Sequence, residues 1–194
     1  MINFNLGGIT VISTVVITTL VILLSTTPFI STAYAAATIT CDSSSNPCNG
    51  TAGDDNMKGD EGHNEMNGLG GNDHMSGGGA DDLLNGGDGS DNINGGDATD
   101  TINAGDGNDK LSGGSGGDHL FGESGKDIVS GDSGDDNIFG GNDNDKLSGG
   151  WGDDLLNGGP GGDTYKCGDT DGIDEIEDFS EASGDTKYSD CEIF

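Results

Sequence analysis

Aspartate recurs at intervals of nine residues through the middle of this chain. Asp55, Asp73, Asp82, Asp91, Asp100, Asp109, Asp118, Asp127, Asp136, Asp145, Asp154 and Asp163 occupy one column of a nine-residue block, and only Asn64 interrupts it. Evenly spaced carboxylates point to one chemistry above others, the capture of hard divalent cations by oxygen. The rest of the composition agrees: Asp+Glu number 36 against 6 Lys+Arg, arginine is absent, and the formal charge is -30. Such a balance argues against nucleic acid or an anionic membrane surface as a partner, and for cations. It also fits a disordered acidic segment, so periodicity has to decide between them.

The elements that must position these carboxylates follow from the same spacing. From Gly50 to Lys166 the chain divides into thirteen blocks of nine without an insertion, as in GGDGSDNIN at Gly86 to Asn94. The template is G-G-x-G-x-D-x-U-x, with U apolar. Its eighth position holds Met57, Met66, Met75, Leu84, Ile93, Ile102, Leu111, Leu120, Val129, Ile138, Leu147, Leu156 and Tyr165. Mostly polar residues flank each of them, as Asn92 and Asn94 flank Ile93. This short alternation predicts a three-residue strand per block, with position eight as the buried row. The G-G-x-G-x-D stretch then reads as a turn, since glycine permits left-handed backbone and close chain approach.

These blocks resemble the RTX, or haemolysin-type, calcium-binding repeats, a nonapeptide that is a known repeat architecture. The resemblance covers residues 50 to 166. It implies an all-β fold, a right-handed parallel β-roll (a β-solenoid) of about thirteen repeats. Two blocks would make one coil, with a strand on each face and a calcium-binding turn on each edge. It also implies that the twelve sixth-position aspartates, with backbone carbonyls of neighbouring coils, ligate Ca²⁺. The first three blocks depart most from the template, with Thr51, Asp60 and Leu69 at the second glycine position and Asn64 at the ligand position. Asp143 replaces the fourth-position glycine of the eleventh block.

Elementary energetics make the cation part of the expected fold. One buried apolar side chain per nine residues is too thin a core to offset the entropy of ordering the chain. Stacked at the usual strand spacing of ~4.8 Å, neighbouring carboxylates on one edge would repel by ~0.9 kcal/mol even in water's dielectric. A divalent ion reverses the sign. Carboxylates and carbonyls on pliable turns suit Ca²⁺ better than Mg²⁺, which demands a compact octahedron. Zinc is a poor fit, because His63, His74 and His119 occupy variable positions without cysteine nearby. A site shared by consecutive turns of one edge allows at most about 11 ions, so the expectation is a chain disordered without calcium and folded with it.

The ends differ from the middle. Cys41 and Cys48 precede the repeats and Cys167 and Cys191 follow them, which predicts one disulfide closing each end in an oxidising compartment. Residues 36–49 then form an N-terminal cap and 167–194 an acidic C-terminal cap. Ile173, Ile176 and Phe179 are expected to cover the open end, and Asp169, Asp171 and Asp174 hint at a further cation site. Residues 1–40 carry no charged side chain, and Ile9 to Leu24 form an uninterrupted run of apolar and small hydroxyl residues. With Ala33-Tyr34-Ala35 behind it, this segment reads as a signal peptide over 1–35, or as a retained membrane anchor. A membrane is a partner only in the second case.

No constellation suited to catalysis stands out. Gly113 to Gly117 matches G-x-S-x-G, but it falls out of the repeat and lacks the strand-to-helix elbow that hydrolases need. The expected role is therefore that of a non-enzymatic, secreted calcium-binding repeat protein with a structural or binding role at the cell surface or in matrix. The alternatives are a secretion or targeting module for a partner toxin or enzyme chain, and an ice- or glycan-binding adhesin. Phe121 and Phe139, 18 residues apart, are expected to stack on one outer face with Leu83 and Leu155 on the same side.

Overall fold

The computed structural model describes residues 36–168, 173–188 and 190–191. Residues 1–35, where the signal or anchor segment was placed, lie outside them, as do Asp169 and Asp171. The described residues form seventeen strands, numbered in chain order, that alternate between two sheets and contain no helix. One sheet has nine strands: β1 (Thr38–Thr40), β3 (Asn56–Lys58), β5 (His74–Gly78), β7 (Asn92–Asp97), β9 (Lys110–Ser115), β11 (Ile128–Ser133), β13 (Lys146–Trp151), β15 (Thr164–Gly168) and β17 (Thr186–Lys187). The other has eight: β2 (Cys48–Asn49), β4 (Glu65–Gly70), β6 (Leu83–Asp88), β8 (Thr101–Asp106), β10 (His119–Ser124), β12 (Asn137–Asn142), β14 (Leu155–Asn157) and β16 (Glu175–Ile176). Every pairing is parallel, and through the repeats each residue faces the one 18 positions away, as Ile93 faces Leu111 and Leu120 faces Ile138. Two blocks therefore make one winding of a parallel β-solenoid.

The core is the eighth-position row. Met57 through Tyr165 are all 0–2 % exposed and point inward from both sheets. Methionines fill the first three places, and the two disulfides, Cys41–Cys48 and Cys167–Cys191, join the same cluster at its ends. The pairing read from cysteine position is thus the pairing present.

The strands are longer than their apolar alternation predicts. β6 to β13 each run six residues, through positions seven to nine and on through the first three positions of the next block. The glycine pair therefore lies in strand, and only positions four to six turn the chain. Burial explains the extension: the first-position glycine continues the inward alternation, as its buried counterpart Ala104 does. Glycine is used there because the space beside it is filled from elsewhere. A Cβ on Gly95 would lie far inside contact distance of both the Asp100 carboxylate and the Gly113 carbonyl oxygen.

At the second position the backbone turns left-handed. Gly87 has φ 113° there, and a Cβ would run into the carbonyl of Leu69 one winding earlier. Leu69, Glu123 and Asp132 nevertheless occupy this position, at φ 80°, 73° and 73°. Ala80, Ala98 and Asp143 do the same at position four, at φ 61°, 82° and 78°. The template glycines thus mark a left-handed conformation that a few side chains also adopt, at some cost in strain.

The windings continue beyond the regular blocks. Ile39 in β1 pairs with Met57, and Cys48 in β2 pairs with Met66, so the N-terminal residues extend both sheets. At the other end β16 pairs with β14 and β17 with β15. Ile176 is buried in the apolar row and Phe179 packs edge-on against Tyr165, at 6.1 Å between ring centroids. Ile173 does not join them: it is 68 % exposed, because it precedes the sixth-position place held by Asp174 and so faces outward. Phe121 and Phe139 stack on the outer face of the eight-stranded sheet, 5.2 Å apart and 6° from parallel. They continue a ladder of asparagines in the same column, in which Asn67, Asn85 and Asn103 each donate from Nδ2 to the Oδ1 one winding back, at 2.9, 2.8 and 2.8 Å.

Candidate metal centre

Positions four to six reverse the chain so tightly that the sixth-position side chain folds back under its own turn. All twelve aspartates of the column are buried, at 0–3 % exposure. They lie on the two edges of the roll: Asp55, Asp73, Asp91, Asp109, Asp127, Asp145 and Asp163 precede strands of the nine-stranded sheet, and Asp82, Asp100, Asp118, Asp136 and Asp154 those of the eight-stranded sheet.

Each carboxylate is oriented by the winding before it. Asp109 Oδ1 accepts the backbone N–H of Asp91 at 2.7 Å, and Asp127 Oδ1 that of Asp109 at 2.8 Å. On the opposite edge Asp118 Oδ1 accepts from Asp100 N at 2.8 Å, and Asp136 Oδ1 from Asp118 N at 2.8 Å. One oxygen is thereby held in place, and the other points inward. Among the described residues, Oδ2 of Asp73, Asp82, Asp91, Asp100, Asp109, Asp118, Asp127, Asp136, Asp145 and Asp163 is buried with no hydrogen-bond partner. A lone buried acceptor costs about 1–3 kcal/mol, more when it is charged, so so regular a set calls for a ligand.

The donor set fits a hard cation. Over most first-position glycines the aspartate Oδ2 converges with a carbonyl oxygen of the next winding: Asp91 with Ala104 over Gly86, Asp100 with Gly113 over Gly95, and Asp136 with Gly149 over Gly131. No three His, Cys, Asp or Glu side chains gather at one point among the described residues. An ion held on these edges would draw on carboxylates together with backbone carbonyls, the mixed oxygen set that Ca²⁺ accepts. When bound, Ca²⁺ supplies charge neutralisation and a bridge between windings. The chain's own part is to hold each carboxylate in register through the N–H one winding back.

The first two turns differ. Asp55 Oδ2 already accepts the N–H of Thr51, and Asn64 Oδ1 that of Asp60 at 2.9 Å. Leu69, by contrast, does not disturb its turn, since Asp73 keeps the common geometry. Two further residues join the column off the nine-residue spacing: Asp174, which the sequence marked as a candidate cation ligand, and Asp185, which it did not. Asp154 N donates to Asp174 Oδ1 at 3.1 Å, 20 residues on, and Asp163 N to Asp185 Oδ1 at 3.0 Å, 22 residues on. Insertions displace both, and only Ile176, two residues after Asp174, preserves a trace of the motif. A second polar column, at position five, links the turns outside: Asn72 Oδ1 accepts from Ser90 N at 2.8 Å and Asn108 Oδ1 from Lys126 N at 2.9 Å.

From Asp73 to Asp145, and at Asp163, burial pushes the carboxyl groups of the column upward, more than the backbone N–H bonds pull them down, and like-charged neighbours add to the rise. Asp73, Asp82, Asp91 and Asp109 move to about 6, and Asp100, Asp136 and Asp145 to about 7. An acid whose pKa is raised by folding contributes stability that is complete below its unfolded value and is lost as pH climbs through the folded one. In chelator, acidifying from about pH 8 to about pH 5 is therefore expected to increase the far-UV β-sheet signal. With calcium present the same acidification should release the ion, because ligation needs the ionised carboxylate. A metal-free chain whose spectrum ignores pH over this window contradicts the assignment of these carboxylates to a buried column.

Parallel windings, carboxylates stacked on both edges and inward oxygens left for a cation define a calcium-binding repeat solenoid. The family model for the RTX calcium-binding nonapeptide repeat, written as four copies, matches residues 49–84, 76–111, 94–129, 103–138 and 130–165. The chain belongs to that family. No curated protein matches it.

Proposed function

We propose that this is an exported, non-enzymatic calcium-binding protein whose roll folds as it takes up Ca²⁺ outside the cell, for a structural or binding role at the surface or in matrix. The observation that carries the reading is the set of buried, unpartnered aspartate Oδ2 atoms repeated along both edges of a chain with formal charge -30. Two disulfides at the ends and the apolar segment before residue 36 support export. Sharing each ion between consecutive turns of one edge gives an upper bound of about 11 ions. Equilibrium dialysis of the mature protein against radiolabelled calcium, with its mass measured in parallel, tests both halves of the proposal. Uptake of many ions per chain and a mass beginning near residue 36 are expected. Uptake of one ion or none would overturn the calcium reading, and a mass that includes residues 1–35 would replace export by anchoring.

A further inference from the structure

The outer face of the nine-stranded sheet carries a feature that the calcium sites do not use. Across β11, β13 and β15 runs a groove of about 610 Å³, within the ~300–1,000 Å³ of small-molecule sites. Trp151, the only tryptophan of the chain, stands at one side of it with 71 % of its surface exposed. Its column otherwise holds small or acidic residues, Asp97, Ser115 and Ser133 in the windings before it. Gly150 and the glycines beside it keep the floor low. Ser130, Ser148 and Lys166 form one ladder along the groove, in register across the three strands. Asp132 completes the lining; it sits at φ 73° where the template has glycine, and accepts hydrogen bonds from Ser130 Oγ at 2.8 Å and from Ser112 Oγ. Strain of this kind tends to collect at binding sites.

We infer that this groove binds the hexopyranose units of an extended neutral polysaccharide, with Trp151 as the stacking platform. An indole face packs on the C–H face of a sugar ring, and an alternation of hydroxyl, carboxylate and ammonium groups matches the ring's outward hydroxyls. The three strands span two intervals of ~4.8 Å, so successive windings present their groups at nearly the step of successive sugar units. An added peptide strand has no place here, because β13 is paired on both sides. Acidic polysaccharides are disfavoured by the charge of -30, although the lysines that lie in strands, Lys58, Lys110, Lys146, Lys166 and Lys187, are all on this sheet. The neutral rings are left as the class that uses every group of the groove.

The inference requires only the folded roll, so its failure is separable from failure of the calcium reading. The calcium-loaded full chain is titrated with cellohexaose, chitohexaose and mannohexaose while the emission of its single tryptophan is followed. A saturable shift with at least one of them is expected. In affinity electrophoresis through the corresponding soluble polysaccharide, Trp151→Ala should weaken retention about tenfold or more, and Lys166→Ala or Ser148→Ala to a smaller degree. Phe121→Ser on the opposite sheet should leave retention unchanged. Circular dichroism of each variant in calcium reads the fold independently. Emission unmoved by all three sugars, or Trp151→Ala retained like the parent while folded, overturns the proposal.

Discussion

Excess chelator is expected to abolish most of the β-sheet signal of this protein near neutral pH, and millimolar calcium to restore it. The argument rests on the edges of the roll. At about pH 7.5 the carboxylates of Asp73, Asp82, Asp91, Asp100, Asp109, Asp136 and Asp145 are mostly ionised, even with pKa values raised to about 6 or about 7. Each then stands in a column of like charges, with one oxygen buried and unpartnered. Protons relieve that column in acid, and calcium is the other relief. The apolar row cannot hold the windings alone, since it contributes one side chain per strand. Disulfides do not help in the middle, because Cys41–Cys48 closes a loop of sequence separation 7 and Cys167–Cys191 one of 24, both at the ends. Since each winding contacts only its neighbours, the loss should spread along the roll rather than stay local. The measurement is far-UV circular dichroism through a calcium titration; a spectrum unaltered by chelator would mean that the windings stand without ions.

The second large effect is positional. Asp109→Asn keeps an Oδ1 to accept the N–H of Asp91, now at 2.7 Å, but places an amide nitrogen at the buried, unpartnered Oδ2 position. A positively polarised group there opposes a cation, so the cost should approach that of stripping one member from a buried charge pair, about 3–5 kcal/mol. The observable is a higher calcium midpoint, with fewer ions bound. Asp55→Asn is the control. Its Oδ2 is already engaged by Thr51 N–H, and the neighbouring turn holds asparagine naturally, so a loss of about 0.5–1.5 kcal/mol, one hydrogen bond, is expected. Equal shifts in the two variants would show that the central carboxylate acts through its hydrogen bond and not through an ion.

Much of this is legible in the sequence. The column of aspartates from Asp55 to Asp163, the apolar row from Met57 to Tyr165 and the pairing of the four cysteines are periodic or local features, and all are present in the folded chain. The stack of Phe121 on Phe139 followed from the two-block winding that the family resemblance implies. Other features were hidden because they depend on a partner one winding away. Strands run through the glycine pair because a neighbouring carbonyl and a carboxylate fill the space beside Gly95. Asp185 completes an edge although an insertion carries it off the period, since the N–H of Asp163 still selects it, whereas Asp174, selected by the N–H of Asp154, was already marked in the sequence as a candidate cation ligand.

The order of residues alone thus determined which side chains turn inward, which carry charge on the edges and that oxygen-seeking cations are their natural ligand, because a strict period assigns equivalent places to equivalent residues. Only the tertiary structure decided which carboxylate oxygens are spent on the backbone and which remain available, and that Trp151, Asp132 and Lys166 share a groove. Those outcomes arise between windings, where residues 18 or more apart meet, and no local pattern records how such neighbours divide their hydrogen bonds.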